Sequence, residues 1–192
     1  MTVFVLRHGE TYANVDKRYF GFSESDLTET GKLQIRKMKE ILVDEKFDKV
    51  YCSPSGRTKQ TAEILGVDYI INENLREMNF GIFERMTYDE IMNKYPKESN
   101  EFYSNWGKYK IPKGESFIDV NKRANGFLDS IDKDENILII THGGWIRAFL
   151  SDVLDGKAEH WEVDISTGSL SIIENINNEY KLINVVRGKD NE

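Results

Sequence analysis

The sequence predicts an α/β fold of three layers, in which helices cover both faces of a mostly parallel sheet. Three observations lead to this prediction. Short apolar, β-branched runs alternate with stretches of helical period, as in βαβ units. Two of these runs end directly in a histidine followed by glycine, at His8 and His142. The carboxyl end alternates at period two, as expected of an antiparallel hairpin at the edge of the sheet.

The individual strands and the first helix follow from these patterns. We predict strands near residues 2–6, 48–52, 69–71 and 136–141. A long helix should follow Thr28-Glu29-Thr30-Gly31. Its predicted buried stripe consists of Leu33, Met38, Ile41 and Leu42.

The later helices have recognisable start and stop signals. A second helix should run from about Thr58 to Leu65, with Gly66 as its C-cap. Two capping boxes predict further helix starts, and two prolines mark breaks: Thr87-x-x-Glu90, Ser116-x-x-Asp119, Pro96 and Pro112. The helix after Ser116 should turn six side chains inward: Phe117, Val120, Ala124, Phe127, Leu128 and Ile131. The terminal hairpin should join residues 169–173 and 181–185 through Asn177-Asn178.

Length and composition indicate one globular domain over residues 1–192. The chain is 39% hydrophobic and 31% charged, and its net charge of −7 argues against a nucleic-acid or anionic-membrane partner. No apolar run approaches the roughly 18 residues of a membrane span. With a single cysteine and no signal-like amino terminus, we expect a cytoplasmic protein.

The ends of the predicted strands carry a specific set of polar residues. Two arginines and two histidines, Arg7, Arg57, His8 and His142, suit a dianionic phosphoryl group, because guanidinium groups pair bidentately with phosphate oxygens. Glu77 suits a general acid that protonates a leaving oxygen and later deprotonates water. A neutral imidazole is the only competent nucleophile in this set.

These residues lie in motifs that resemble the histidine phosphatase superfamily, also called phosphoglycerate mutase-like. The resemblance covers most of the chain in the family's order. Its segments are Arg7-His8-Gly9-Glu10-Thr11-x-x-Asn14, Tyr19-x-Gly21, Leu27-Thr28-x-x-Gly31, Ser53-Pro54-x-x-Arg57-x-x-x-Thr61-Ala62, Leu75-Arg76-Glu77-Met78-x-Phe80-Gly81, Gly114-Glu115-Ser116 and Thr141-His142-Gly143-Gly144-x-Ile146-Arg147.

The resemblance implies a role for each catalytic position. His8 would be the nucleophile that becomes phosphohistidine, held by a backbone contact that leaves its other nitrogen free. Arg7, Arg57 and His142 would clamp the transferring phosphoryl oxygens, and Glu77 would protonate the leaving alkoxide.

The resemblance also implies the substrate contacts. Asn14 and the backbone amide of Gly143 would donate to the same phosphoryl oxygens, and Gly21 and Phe22 would contact the substrate. The family uses no metal, and the histidines and carboxylates here show no compact ligand spacing. We expect no cofactor for this chain.

Within the superfamily we expect a phosphatase that acts on a small phosphomonoester. The chain is short, His142 is followed by Gly143-Gly144 where mutases typically carry Gly-Asn, and the motif around Glu77 resembles the phosphatase version. The pattern looks most like the α-ribazole phosphatase branch of cobalamin synthesis, and branches with sugar phosphate, fructose bisphosphate or phosphoserine substrates share much of it. Arg85 stands where many members carry glycine.

Two other functions stay open at this stage. A mutase would return the phosphoryl group from His8 to a bound sugar acid, and a non-catalytic module would bind a phosphorylated ligand without turnover. The sequence leaves the oligomeric state undetermined, although an apolar edge hairpin could support a homo-oligomer.

Several residues have simpler explanations beside the functional ones. An Arg-His pair can be structural, a glutamate beside Arg76 can lie at the surface, and Asn14 can cap a turn. Four residues lie between Cys52 and Arg57 where the cysteine phosphatase signature needs five, so we expect Cys52 to be a core residue. His160 lies in no motif and is expected at the surface or in packing.

The aromatic stretch within residues 78–115 is predicted to be a lid or specificity insertion. Packing against the sheet is the alternative. We expect part of this stretch, with Trp106, to set substrate choice.

Overall fold

The computed structural model describes residues 1–154, 162–177 and 179–187. Its strands are β1 Thr2–Arg7, β2 Lys49–Cys52, β3 Ile70–Ile71, β4 Ile137–Thr141, β5 Leu170–Ile176 and β6 Glu179–Val186. Its helices are α1 Tyr12–Val15, α2 Glu29–Ile41, α3 Gly56–Leu65, α4 Tyr88–Lys94, α5 Pro96–Ser104, α6 Phe117–Ser130 and α7 Gly143–Val153. Short 3₁₀ turns cover Glu73–Leu75 and Gly81–Phe83.

The strands form one six-stranded sheet in the order β3-β2-β4-β1-β5-β6. The first four strands in this order pair in parallel, and β1, β5 and β6 pair antiparallel. The mostly parallel sheet with an antiparallel edge hairpin is therefore confirmed. Asn178 of the predicted turn and His160 lie outside the described residues.

Side chains of β1 divide the core between the two faces of the sheet. Val3 and Val5 point into a cluster with α6 and α7, whereas Phe4 and Leu6 point into a cluster with α2 and α3. This alternation follows from the period of two along a strand. The three-layer α/β/α arrangement is confirmed.

Two of the four side chains predicted to be buried on the first long helix are exposed. Met38 and Leu42 are buried, but Leu33 and Ile41 are 54% and 47% exposed. Gln34 and Ile35 face inward instead, because the Gln34 side-chain oxygen accepts a hydrogen bond from the Glu10 N–H at 2.9 Å. A polar residue with a backbone partner thus displaced an apolar one from the buried face.

The predicted helix signals are confirmed. Gly66 ends α3 in the left-handed region, and both predicted capping boxes are present, at Thr87 and Ser116. The helix α2 begins at Glu29, within the segment it was predicted to follow, because Thr28 caps it by accepting from the Gly31 N–H. Pro96 occupies the first turn of α5. No helix among residues 1–154, 162–177 and 179–187 is long and apolar enough to cross a membrane.

The segment 78–115 packs against the sheet side that carries α6 and α7. Its apolar side chains Phe83, Ile91, Phe102 and Ile111 are buried in that core cluster. Movement of this segment as a lid stays a prediction.

Neighbouring positions of α2 should respond very differently to truncation. Ile35→Ala removes a fully buried side chain and should lower the free energy of unfolding by about 2–5 kcal/mol. Leu33→Ala removes an exposed one and should cost less than about 0.5 kcal/mol. Urea unfolding of both variants measures the difference, and equal losses would contradict the observed orientation of the helix.

Candidate active site

Three parallel strands bring their carboxyl ends together at one edge of the sheet. Arg7 of β1 pairs with Thr141 of β4, and Cys52 of β2 pairs with Ile140 of β4. His8 follows β1 and His142 follows β4, so the two residues lie side by side. The centroids of their rings are 5.2 Å apart. This edge is where open α/β sheets bind ligands.

His8 is buried and held in one orientation by the backbone. Its Nδ1 lies 2.7 Å from the Gly9 carbonyl oxygen, so Nδ1 carries the proton and donates it, and Nε2 keeps its lone pair. Burial first, and then the charges of Arg57 and Arg7, hold the pKa of His8 well below its ordinary value. The ring is therefore neutral at pH 7 and has a nucleophilic nitrogen available.

Arg57, at the start of α3, is buried and surrounded by acceptors. Its Nη2 donates to the carbonyl oxygen of Gly21 at 2.8 Å and its Nη1 to that of Ser23 at 3.0 Å. Its Nε donates to Nδ1 of His142 at 3.1 Å. These contacts fix the plane of the guanidinium group before any ligand binds.

His142, the N-cap residue of α7, uses both ring nitrogens within the protein. Nδ1 accepts from Arg57, so Nε2 carries the proton and donates to Ser53 Oγ at 2.8 Å. Burial and the charge of Arg57 lower the pKa of His142 as well. Direct contact between His142 and a phosphoryl oxygen would have to replace one of these bonds, and it stays a prediction.

Arg7 is anchored at one end and has a spare donor at the other. Its Nη1 donates to the Ile165 carbonyl oxygen at 2.8 Å, whereas its buried Nε has no hydrogen-bond partner among the described residues. A Cβ on Gly143 would lie 3.1 Å from Cζ of Arg7, so the glycine keeps space beside the guanidinium group.

Glu77 is buried, and backbone amides hold its carboxylate. Oε1 accepts from the Met78 N–H at 2.8 Å, and Oε2 accepts from the Gly144 N–H at 3.0 Å, in the first turn of α7. A Cβ on Gly144 would lie 2.3 Å from Oε1. The second glycine after His142 therefore makes room for the carboxylate.

Two cavities meet at Arg7, Glu77 and Phe80. The smaller, of about 190 Å³, is polar, and its lining includes His8, Asn14, Lys17, Arg18, Tyr19 and Arg57. The larger, of about 570 Å³, has walls from Met78, Trp106, Phe117, Gly143, Gly144, Arg147 and residues 162–166. Glu77 thus stands between a phosphate-sized pocket and space for a larger group.

The predicted substrate contacts divide into two groups. Asn14 lines the smaller cavity while its side-chain oxygen accepts from the Thr11 N–H, which leaves the amide Nδ2 as its donor. Gly21 and Phe22 line neither cavity. Gly21 instead supports Arg57 through its carbonyl oxygen, and Phe22 is stacked under Arg76.

Sequence reasoning missed the role of Glu84. Its carboxylate accepts the N–H groups of Gly21, Phe22, Ser23 and Phe80 at 3.0–3.2 Å. It thereby holds the loop whose carbonyl groups surround Arg57. Arg85 beside it has φ of 65°, a conformation that favours the glycine found there in many family members.

Ser53 and Arg123 were also missed as parts of the site. Ser53 fixes the ring of His142, and Arg123 of α6 donates to the carbonyl oxygen of Glu77 at 2.9 Å. Ser53 could have been found as a hydroxyl at the end of β2. Arg123 carried no local signal, because it lies on a helix distant in sequence from Glu77.

Cys52 is buried in the core, as predicted. Burial raises the pKa of its thiol to about 12, so a thiolate nucleophile does not form there near pH 7. Among residues 1–154, 162–177 and 179–187, no group of three or more His, Cys, Asp or Glu side chains is placed to hold a metal ion.

The fold and the site define an α/β protein built around a neutral histidine between two arginines. Residues 3–186 match the profile of the histidine phosphatase superfamily (branch 1), and the chain belongs to this superfamily.

Individual relatives differ in the substrates that their names give. Human 6-phosphofructo-2-kinase/fructose-2,6-bisphosphatase 4 is 34% identical over 160 residues, which are 82% of this chain and 34% of the relative. The chain thus spans about a third of the length of the curated relatives it matches.

Two solved structures are similar over nearly the whole chain. The α-ribazole phosphatase from Shigella flexneri has a TM-score of 0.87 and 28% identity, covering 98% of this chain and 96% of that one. Bacillus stearothermophilus YhfR has a TM-score of 0.85 and 32% identity, covering 94% of each chain.

Acid should destabilise the folded protein through its two buried histidines. The pKa values of His8 and His142 lie well below 6.5 in the folded state, so below that pH the unfolded chain binds more protons. We expect the free energy of unfolding to fall there by up to about 1.4 kcal/mol per pH unit for each ring. Urea unfolding between about pH 7 and pH 5.5 tests this. His8→Gln should have a shallower slope than the wild-type protein, and an unchanged slope would contradict the assignment.

Proposed function

We propose that the chain is a metal-independent phosphomonoesterase that works through a phosphohistidine on His8. The observation that carries the proposal is the neutral, buried ring of His8, whose Nε2 lone pair is available in a cavity shared with Arg7, Arg57 and Glu77. The positive charges suit a dianionic phosphoryl group, and the spare Nε–H of Arg7 needs an acceptor.

The reaction would take place in two balanced steps. In the first, His8 Nε2 attacks phosphorus, the P–O ester bond breaks, and the leaving alkoxide takes a proton from Glu77. In the second, water attacks the phosphohistidine while the Glu77 carboxylate takes its proton, which releases phosphate and free His8. Arg7 and Arg57 would stabilise the charge on the phosphoryl oxygens in both steps.

The larger cavity would hold the alcohol part of the substrate. Its apolar walls include Met78, Phe80, Trp106 and Phe117, which suit a planar or partly apolar group. This supports α-ribazole 5′-phosphate as the first candidate, in line with the structural relative of that name. A sugar phosphate is the second candidate. The small-molecule substrate fits the cytoplasmic location expected from the sequence.

A mutase and a non-catalytic binding module are the alternative functions. A mutase would hold the acceptor in place of water after the first step. A binding module would need neither the available nitrogen of His8 nor the carboxyl group of Glu77. The carboxyl group between the two cavities favours turnover, because an anion beside a phosphate pocket weakens simple phosphate binding.

Phosphate release in the presence of EDTA tests the proposal directly. The panel contains p-nitrophenyl phosphate, α-ribazole phosphate, sugar phosphates, phosphoserine and 3-phosphoglycerate. We expect wild-type turnover without added metal and loss of at least about a thousandfold in His8→Ala, because the nucleophile is removed.

The outcomes of this assay separate the three functions. Release that needs a divalent metal would overturn metal independence. Interconversion of phosphoglycerates without net release would identify a mutase. Phosphate or vanadate binding that survives in His8→Ala, without turnover of any substrate, would identify a binding module.

Trp106 should set substrate ranking without changing the chemistry. It is 41% exposed and lines only the larger cavity, so Trp106→Ala should lower kcat/KM for the preferred substrate by about tenfold or more. Hydrolysis of p-nitrophenyl phosphate should change by less than about threefold. Tyr69→Ala, an aromatic truncation beside the opposite core cluster, is the control. Equal loss on every substrate would contradict this role.

A further inference from the structure

Arg123 of α6 has every N–H donor of its guanidinium group occupied. Nε donates to Oε1 of Glu115 at 3.0 Å, and Nη2 donates to Oε2 of Glu115 at 3.2 Å and to the carbonyl oxygen of Glu77 at 2.9 Å. Nη1 donates to the carbonyl oxygens of Asn74 at 2.9 Å and Arg76 at 2.6 Å. An arginine has five such donors, so none is left for a ligand.

The partners of Arg123 belong to the irregular chain around Glu77. The 3₁₀ turn Glu73–Leu75 ends just before Glu77, and residues 76–80 belong to neither a helix nor a strand. Backbone carbonyl groups in such a segment lack the regular hydrogen-bond partners that a helix or a sheet provides. Arg123 binds two of them, at Arg76 and Glu77, and a third carbonyl group at Asn74 in the preceding 3₁₀ turn.

Glu115 extends the same support to the other side of Glu77. Its Oε2 also accepts the N–H of Asn79 at 2.8 Å, and its own N–H donates to the Asn79 carbonyl oxygen at 2.9 Å. The Arg123–Glu115 pair thus holds the chain on both sides of Glu77. Neither residue lines the two cavities.

The carboxyl group of Glu77 depends on this placement. Its oxygens reach the N–H groups of Met78 and Gly144, and the space beside Gly144 is too narrow for a Cβ. A small shift of the backbone at Glu77 would therefore move the carboxyl group away from the leaving oxygen. Misplacement by about 1 Å can cost a catalytic group around a hundredfold in rate.

We propose that Arg123, paired with Glu115, is a positioning residue that holds Glu77 where it can transfer a proton to the leaving group. The inference rests on the proposed function. Because Arg123 acts through Glu77 and not through the phosphate pocket, its loss should impair protonation and spare phosphoryl binding.

Leaving groups of different basicity distinguish these two effects. An alkoxide needs a proton in order to depart, whereas p-nitrophenolate is stable enough to leave without one. Arg123→Lys keeps a positive charge but not the planar group with five donors. We expect kcat/KM, which reports the first step without the later attack of water that both substrates share, to fall by about tenfold or more for an alkyl phosphate and to change by about twofold or less for p-nitrophenyl phosphate.

Further variants keep the test decisive. Glu115→Gln should show the same dependence on leaving group with a smaller loss, so the test does not depend on the folding of Arg123→Lys alone. In a Glu77→Gln background, Arg123→Lys should cause less than about a twofold further loss on the alkyl phosphate, because the group it positions is already gone. Leu42→Ala, which destabilises the opposite core, controls for loss of stability.

Each outcome bears on the inference. Equal losses on both leaving groups, or losses that multiply with Glu77→Gln, would overturn it. A rise in KM for all substrates with kcat unchanged would assign Arg123 to binding and would also overturn it. If Glu77→Gln itself shows no dependence on leaving group, or if the wild-type protein releases no phosphate, then the proposed function fails and the inference fails with it.

Discussion

The burial of positive charge at the strand ends is the constraint on which the rest of the structure depends. Arg57 is almost fully buried, and an unpaired buried cation would cost several kcal/mol. The backbone oxygens of Gly21 and Ser23 offset this cost, and they can converge only if their loop is held from the other side. The N–H groups of that loop meet the carboxylate of Glu84. The loop therefore turns its carbonyl oxygens toward Arg57 and its N–H groups toward the carboxylate of Glu84.

The same buried cations decide which side chain can be the nucleophile. Arg57 and Arg7 act with burial to keep His8 uncharged, so its free nitrogen is available at neutral pH. Cys52 lies at the end of β2, which β4 separates from β1, and burial raises its pKa to about 12. The two residues lie at strand ends on the same edge of the sheet, and their chemistry differs because only His8 is nucleophilic in its neutral form.

Local patterns predicted the sheet and the strand-end residues, because the periodicity of apolar residues and the helix caps depend on positions only a few residues apart. They were wrong for Leu33 and Ile41, because Gln34 acquired a partner, the Glu10 N–H, that is distant in sequence. The roles of Arg123 and Glu84 in the site were not predicted for the same reason. Glu77 lies 46 residues from Arg123, and Gly21 lies 63 residues from Glu84, so only the folded structure brings each pair together.

Under the proposed function, the chemistry and the choice of substrate would depend on different parts of the fold. His8, Arg57 and the turn that holds Glu77 through Gly144 are placed by strand ends and helix starts, which pairing of the sheet fixes. The larger cavity takes Trp106 and Phe117 from the segment that packs over the sheet and from the start of α6. Substitutions in the walls of the larger cavity need not disturb the carbonyl groups around Arg57 or the hydrogen bonds by which Arg123 supports Glu77. A family with one phosphoryl site can therefore include relatives named for a fructose bisphosphate and for α-ribazole phosphate, because the walls that meet the alcohol can vary while the buried charges cannot.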